Sequence, residues 1–299
     1  MKLIKPSFQI IEPTGYTIDD IYKSIELAGR CSHKSEDKIT ETSAKDFVGR
    51  MLNMKHLATC EFGTVYLNIP NGLISQALYG NLVDKYSENA YSISVPYVEK
   101  TGLMSIGRAA ITTNYRVLVE NNWLDDLQYL CEPTEYHHKR YTVKFILDRA
   151  IANEIVRHRK FSFLQESTRY CRYSSNKFNN ELTFIQPIWT YHQEDGDYGT
   201  LGNPKRKNVG NKDGVFFDFI KSLQYAEHYY LTLVKQGWKA EEARNVLPLC
   251  LKTELYMCGF AEDWKKFFEL RCASNAHPQA KELAIPLKEE FIKRGYINE

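Results

Sequence analysis

The stretch that most constrains this chain runs from Tyr141 to Tyr170. Tyr141 to Ile146 reads as a β-strand, and Asp148 is placed to cap a helix through about His158. Ile151, Ala152, Ile155 and Val156 give that helix an apolar side that has to be buried. It ends on Arg157-His158-Arg159, so three cationic or potentially cationic side chains leave a buried helix together, and buried arginines need partners. Ser162, Gln165, Ser167, Arg169 and Tyr170 follow in the segment RHRKFSFLQESTRY. Arginine forks match phosphate oxygens bidentately. Ser167 and Thr168 offer hydroxyls and backbone N–H groups of the kind that close around a phosphate, and the Gln165 amide can read the edge of a planar ring. The pattern points to an anion site beside a flat heterocycle. For the R-H-R triplet alone, a solvated basic helix end followed by a polar turn is the competing reading.

Elsewhere the elements are read from caps and periodicity. Thr17 with Asp20 forms a capping-box pattern for a helix to about Gly29, and Ser43 with Asp46 repeats it for a second helix. Thr64–Ile69 alternates as a strand closed by Pro70 and Asn71-Gly72. Between 73 and 135 the pattern suggests helical pieces near 73–84 and 115–130 and a strand around 109–113. A strand at Leu182–Ile185 precedes a Gly-, Asn- and Lys-rich stretch, 190–214, read as a long surface loop. Helices are expected at about 215–236, stopped by Gly237, at 240–246, at 261–271 and at 277–294, the last broken or restarted at Pro286. Residues 250–258 read as extended. With no βαβ rhythm and no internal repeat, the fold class is α+β, a central mixed or antiparallel sheet flanked by helices.

Composition removes several classes. A net charge of +2 gives no global push toward nucleic acid or a membrane surface. The seven cysteines are scattered without a C-x-x-C pair, which fits neither a disulfide framework nor a zinc ribbon. The start, Met1 to Tyr16, reads as no signal peptide, and no stretch approaches the roughly 20 apolar residues of a membrane span, so the expected location is cytoplasmic. His137, His138 and His277 make no metal set and read as structural.

The spacing R-H-R, seven residues, Ser167, then Arg169-Tyr170 resembles the signature of flavin-dependent thymidylate synthases, the ThyX family. Four further blocks resemble that family in order: Gly29–Ser32, His56-x4-Glu61, Arg244 before Leu247-Pro248-Leu249, and Leu270-Arg271. Together they cover roughly residues 28–285, with segments near 73–140 and 172–214 resembling insertions in a single domain spanning 1–299. The resemblance implies reductive methylation of dUMP to dTMP, with 5,10-methylenetetrahydrofolate as carbon donor and FAD, reduced by NADPH, as hydride donor. It also implies a homotetramer whose active sites are shared between subunits. It assigns Ser32, His56, Arg157, His158, Arg159 and Gln165 to FAD. It assigns Glu154, Arg157, Gln165, Glu166, Ser167, Thr168, Arg169, Arg244 and Arg271 to dUMP, with Arg271 facing the pyrimidine as the catalytic residue.

The chain departs from the family pattern at Phe62, Leu164, Phe260 and Lys266, the last two where many members carry flavin-contacting asparagines. No Gly-rich dinucleotide loop is present. Nothing in the sequence sets a base beside Ser167 to make it a nucleophile, and no cysteine is expected to be one. The rival from another class is a nucleic-acid-binding module, in which Phe161, Phe163, Tyr170 and Tyr173 would stack on bases between the cations. A second rival is a flavin enzyme acting on another nucleotide.

Overall fold

The computed structural model describes residues 1–71, 83–101, 104–190, 194–203 and 214–298. The chain begins with two short strands, β1 (Lys2–Ile4) and β2 (Ser7–Ile11), and then enters helix α1 (Ile18–Cys31). As the sequence predicts, Thr17 and Asp20 form a reciprocal capping box at its start. Helix α2 (Ser43–Asn53) follows, but Ser43 is its first residue rather than its cap, and its hydroxyl donates to Glu26 at 2.8 Å.

Three sheets divide the strands. The largest is antiparallel, ordered β2-β6-β10-β7, where β6 is Arg140–Asp148, β7 is Ser162–Gln165 and β10 is Lys252–Phe260. Its faces follow the two-residue period of a strand. Val143, Phe145, Leu147, Leu255 and Met257 point to one side. There they meet the short helix that Asp148 caps, here called α4 (Arg149–Ile155), together with α6 (Ala261–Arg271) and α7 (Pro278–Lys293). Trp264, Phe267, Phe268 and Phe291 are all buried in this layer, each contributing about 1.5–3 kcal/mol by leaving water. On the other face Leu164, Tyr256 and Cys258 pack against Ala28 and Cys31 of α1 and against Phe62.

The second sheet, ordered β3-β5-β4, consists of β3 (Thr64–Pro70), β4 (Ile93–Thr101) and β5 (Met104–Asn114). It shares a core with α1, α2 and α3 (Tyr115–Glu120), with Ile25, Phe47, Val65, Ile111 and Leu118 inside. Its strands β4 and β5 lie in the described part of the expected insertion, where the helical expectation at 115–130 holds in shortened form. β4 was not anticipated, β5 is longer than expected, and only Asp84–Ser87, α3 and a 3-10 turn at Leu124–Tyr129 are helical. The expected helix over 73–82 lies outside the described residues.

The third sheet, β8-β1-β9, pairs Thr183–Ile185 in parallel and Gly196–Asp197 antiparallel with β1. It lies over α5 (Gly214–Lys235), whose Phe216, Ile220, Leu223 and Tyr230 are buried. Gly237, at φ +102°, ends α5 in a conformation that side chains disfavour. Pro286 does not break α7. A proline inside a helix costs about 3 kcal/mol, and burial of Leu283, Ala284, Leu287 and Phe291 around it offsets that cost. The fold is α+β, with its largest sheet antiparallel and helices on its core face. Among the described residues no helix is long and apolar enough to cross a membrane.

Candidate functional site

The signature begins where α4 stops. The helix is shorter than its apolar pattern suggests, because the chain must turn back to place β7 against β10. Tight turns form instead, with His158 N donating to the Ile155 carbonyl at 3.1 Å and Phe161 N to the His158 carbonyl at 3.1 Å. The Phe161 ring then lies on Gly259, where an added Cβ would sit 2.5 Å from the ring. Any larger residue at 259 would push the turn out of place.

This turn sets up the first cluster. Arg271, at the end of α6, donates from Nε to His158 Nε2 at 3.0 Å, from Nη1 to Glu154 Oε2 at 2.8 Å, and from Nη2 to the Glu154 carbonyl at 2.8 Å. Burial, reinforced by the Arg271 charge, lowers the His158 pKa to about 4. The imidazole is therefore neutral at pH 7 and accepts from Arg271, which fixes its remaining proton on Nδ1. Arg157 and Arg159 on either side are exposed, and neither makes an ion pair among the described residues.

At the far end of β7 the second cluster forms. Gln165 Nε2 donates to Thr253 Oγ1 at 3.2 Å, and Arg149 Nη1 donates to the same hydroxyl and to the Glu166 carbonyl, both at 3.3 Å. Glu166 is 1% exposed, and its carboxylate accepts from Lys252 at 2.8 Å and from the Tyr173 hydroxyl at 3.0 Å. Lys252 also reaches Glu254, which in turn pairs with Lys34 and Lys144. These lysines hold the Glu254 carboxyl far below its ordinary range against the opposing effect of burial. The Glu166 carboxylate is thus committed internally.

The loop beyond Glu166 brings the other blocks together. Ser167 N donates to the Ser32 carbonyl at 3.0 Å, while Ser167 Oγ accepts from Arg169 N at 3.3 Å. Thr168 is buried. His33 stacks on Tyr170 with centroids 4.3 Å apart, and burial together with nearby His56 lowers the His33 pKa. Arg169 lies over the Tyr170 ring and pairs with Glu241 at 2.9 Å, on the helical turn that precedes Arg244. His56 and Arg244 are exposed.

Four blocks far apart in sequence therefore meet around one loop and one turn, joined by the four residues of β7. Beside that turn lies a cavity of about 240 Å³, lined among others by Arg140, Lys160, Ser162 and Lys266.

Sequence reasoning missed Arg140, Arg149, Lys34, Lys252 and Glu254, and read Tyr173 only as a ring that would stack on bases. One signal was available: Lys252 and Glu254 are two apart in an apolar strand, so both project from the same face and need partners there. His137 and His277 take structural positions. His137 is buried with its ring bonded to Thr134 and Leu67, and His277 caps α7. The basic run Lys205–Lys207, read as part of the surface loop, lies outside the described residues.

A relative named flavin-dependent thymidylate synthase from Synechocystis is 26% identical over 165 residues, covering 51% of this chain and 66% of that protein. One named probable flavin-dependent thymidylate synthase from Paramecium bursaria Chlorella virus 1 is 26% identical over 219 residues, covering 69% of this chain and 94% of that protein. A crystal structure of a UMP/dUMP methylase from Streptomyces cacaoi aligns over 98% of this chain and 92% of that one at 14% identity, with a TM-score of 0.44, too loose a likeness to carry a structural argument. A family model described as "Thymidylate synthase complementing protein" matches residues 84–294, well over half of the sequence and including the signature turn, its loop and Arg271. The chain belongs to the thymidylate synthase complementing protein family.

Proposed function

We propose that this chain, acting as a single domain, methylates dUMP to dTMP. The carbon would come from 5,10-methylenetetrahydrofolate and the hydride from FAD reduced by NADPH. The observation that carries the reading is the convergence of Ser32, the Ser167–Tyr170 loop and Glu241 at one place, with Arg271, Glu154 and His158 at the other end of β7.

FAD fits the residues present. Arg157 and Arg159 are exposed cations without ion-pair partners among the described residues, and the nearby cavity gathers Arg140, Lys160 and Lys266, as a diphosphate-bearing ligand requires. Ser32, His56 and Gln165 are the other residues we assign to it. When bound, the flavin supplies the hydride, and the protein supplies position and electrostatics.

Arg271 spends three of its five N–H donors on Glu154 and His158. The two that remain belong to a guanidinium already fixed in place, suited to face a pyrimidine edge and stabilise negative charge developing on the ring. Neutral His158 steadies Arg271 without adding charge. The exposed Arg244 suits the nucleotide phosphate, with Arg169, paired to Glu241, close to it in the fold. Glu166, Ser167 and Thr168 are the other residues we assign to the nucleotide, although the backbone N–H groups of Glu166 and Ser167 are already donated to the Glu254 and Ser32 carbonyls. No thiol nucleophile is needed, and burial pushes the Cys171 thiol up to about 12, so it stays protonated near neutral pH. Exposure of Arg157, Arg159, His56 and Arg244 on one chain supports a site completed by another subunit of a homotetramer. The expected location remains cytoplasmic.

The test is tritium release from ring-labelled dUMP by the FAD-reconstituted chain. Release that requires both methylenetetrahydrofolate and NADPH is expected. No release under any combination, from folded protein, would overturn the assignment.

A further inference from the structure

The sheet β3-β5-β4 has no part in the reading above, yet one of its turns faces the same site. Residues Ala90–Ile93 and Asn114 form one wall of the 240 Å³ cavity whose other side carries Lys160, Phe161 and Ser162 of the signature. The cavity is electropositive. Arg140, Lys160 and Lys266 border it, and none makes an ion pair among the described residues. Of the two acids on its wall, Glu61 is held by Arg116 at 2.6 Å. Burial raises the Asp263 carboxyl while the Lys266 and Lys160 charges pull it back down, and Asp263 offsets part of the charge of those two lysines.

Arg140 is half-buried and donates only to neutral acceptors: the Glu61 carbonyl at 3.0 Å, Thr64 Oγ1 at 3.2 Å and Ser162 Oγ at 3.4 Å. A partly desolvated guanidinium without a carboxylate favours an anion beside it. The opposing wall is firmly built. Asn89 Oδ1 accepts from Tyr91 N at 2.9 Å and from Ser92 Oγ at 3.2 Å, and Ser92 Oγ lies 2.8 Å from Thr113 Oγ1 on β5. That turn presents Tyr91 at the rim, 62% exposed and without a ring partner among the described residues.

We propose that the sheet β3-β5-β4 completes the flavin pocket: Tyr91 stacks on a ring of the dinucleotide while its diphosphate lies against Arg140, Lys160 and Lys266. This rests on the flavin-dependent reading above. It gives the sheet a task, and it explains how the chain manages with Phe260 and Lys266 where the resemblance leads one to expect asparagines. A tyrosine face suits any flat heterocycle, and three cations suit a diphosphate.

The test titrates FAD into the flavin-free, full-length protein and follows quenching of flavin fluorescence, with circular dichroism as the check on folding. Tyr91 is 62% exposed, so its truncation should leave the fold intact. Tyr91→Ala should raise the Kd for FAD at least tenfold, about 1.4 kcal/mol, whereas Tyr91→Phe, which keeps the ring, should stay within about twofold. Lys266→Ala should weaken FAD binding, flatten its salt dependence and leave riboflavin, which has no phosphate, unaffected. If the parent chain binds FAD and both Tyr91→Ala and Lys266→Ala bind it within about twofold of the parent, the sheet's role is wrong while the enzymatic reading stands. If the parent chain binds no FAD at all, both fall.

Discussion

Replacing Arg271 by alanine separates what this residue does for the fold from what it does for the reaction. The side chain is 18% exposed and makes one ion pair, to a Glu154 that is 36% exposed. At such exposure the pair contributes roughly 0.2–1 kcal/mol. Its bonds to the Glu154 carbonyl and to His158 add charge-assisted hydrogen bonds, discounted for partial solvation. Together the loss comes to about 2–3 kcal/mol, or roughly 4–12 °C in Tm for a chain of this size, and the variant should still fold. If Arg271 also stabilises charge on the ring, kcat should fall by a further factor corresponding to about 2.7–4 kcal/mol with little change in KM. Arg271→Lys should recover part of the Tm but little of kcat, because a point charge does not match a planar edge.

A third readout is independent of turnover. His158 has a folded pKa of about 4, below its unfolded value of about 6.5. The unfolded chain therefore takes up the proton first as pH falls. Stability is unaffected by this group above about pH 6.5 and is lost progressively from there down toward 4. Removing the Arg271 charge should raise the His158 pKa part-way, visible in an NMR titration, and narrow that window. Steady-state kinetics that show a KM effect alone, beside the lowered Tm, would refute the ring-facing role and leave Arg271 a structural residue.

Three further outcomes follow from the same geometry. Arg244→Ala removes an exposed cation without ion-pair partners among the described residues, so it should weaken dUMP binding with kcat within about threefold and Tm unchanged. Cys171→Ala and Cys272→Ala, singly and together, should leave dTMP formation within about tenfold, since burial raises both thiols above their ordinary pKa; a loss of several orders of magnitude in folded protein would make one of them a nucleophile. Lys252→Met strips a buried cation from Glu166 and Glu254 and should cost about 3–5 kcal/mol, with Lys252→Met/Glu166→Leu more stable than the single change. Equal Tm values for the parent and Lys252→Met in thermal melts would show that the network holds nothing.

What could be read in advance was whatever local chemistry decides. The Thr17–Asp20 capping box, Asp148 as a helix cap and Gly237 as a stop signal act through neighbouring backbone, and all three hold in the structure. What could not be read was set by partners distant in sequence. β7 is four residues long and becomes a strand because β10 pairs with it, and that pairing shortens α4 and turns Arg157–Arg159 into a tight turn. β4 exists because β5 pairs with it over its whole length. In the site, the signature showed where the cations leave the helix, whereas the meeting of Ser167 with Ser32 and of Arg271 with Glu154 is a product of the fold. At Glu166, a residue the resemblance assigns to the nucleotide site, the motif did not reveal that the carboxylate is bonded inside the protein to Lys252 and Tyr173.

The most direct measurement of the central claim is the visible absorption spectrum of the FAD-reconstituted protein under anaerobic conditions. NADPH should bleach the flavin band. Subsequent addition of methylenetetrahydrofolate should restore it, with formation of dTMP, only when dUMP is present. A band that never forms, or one that returns at the same rate and extent without dUMP, would contradict the account.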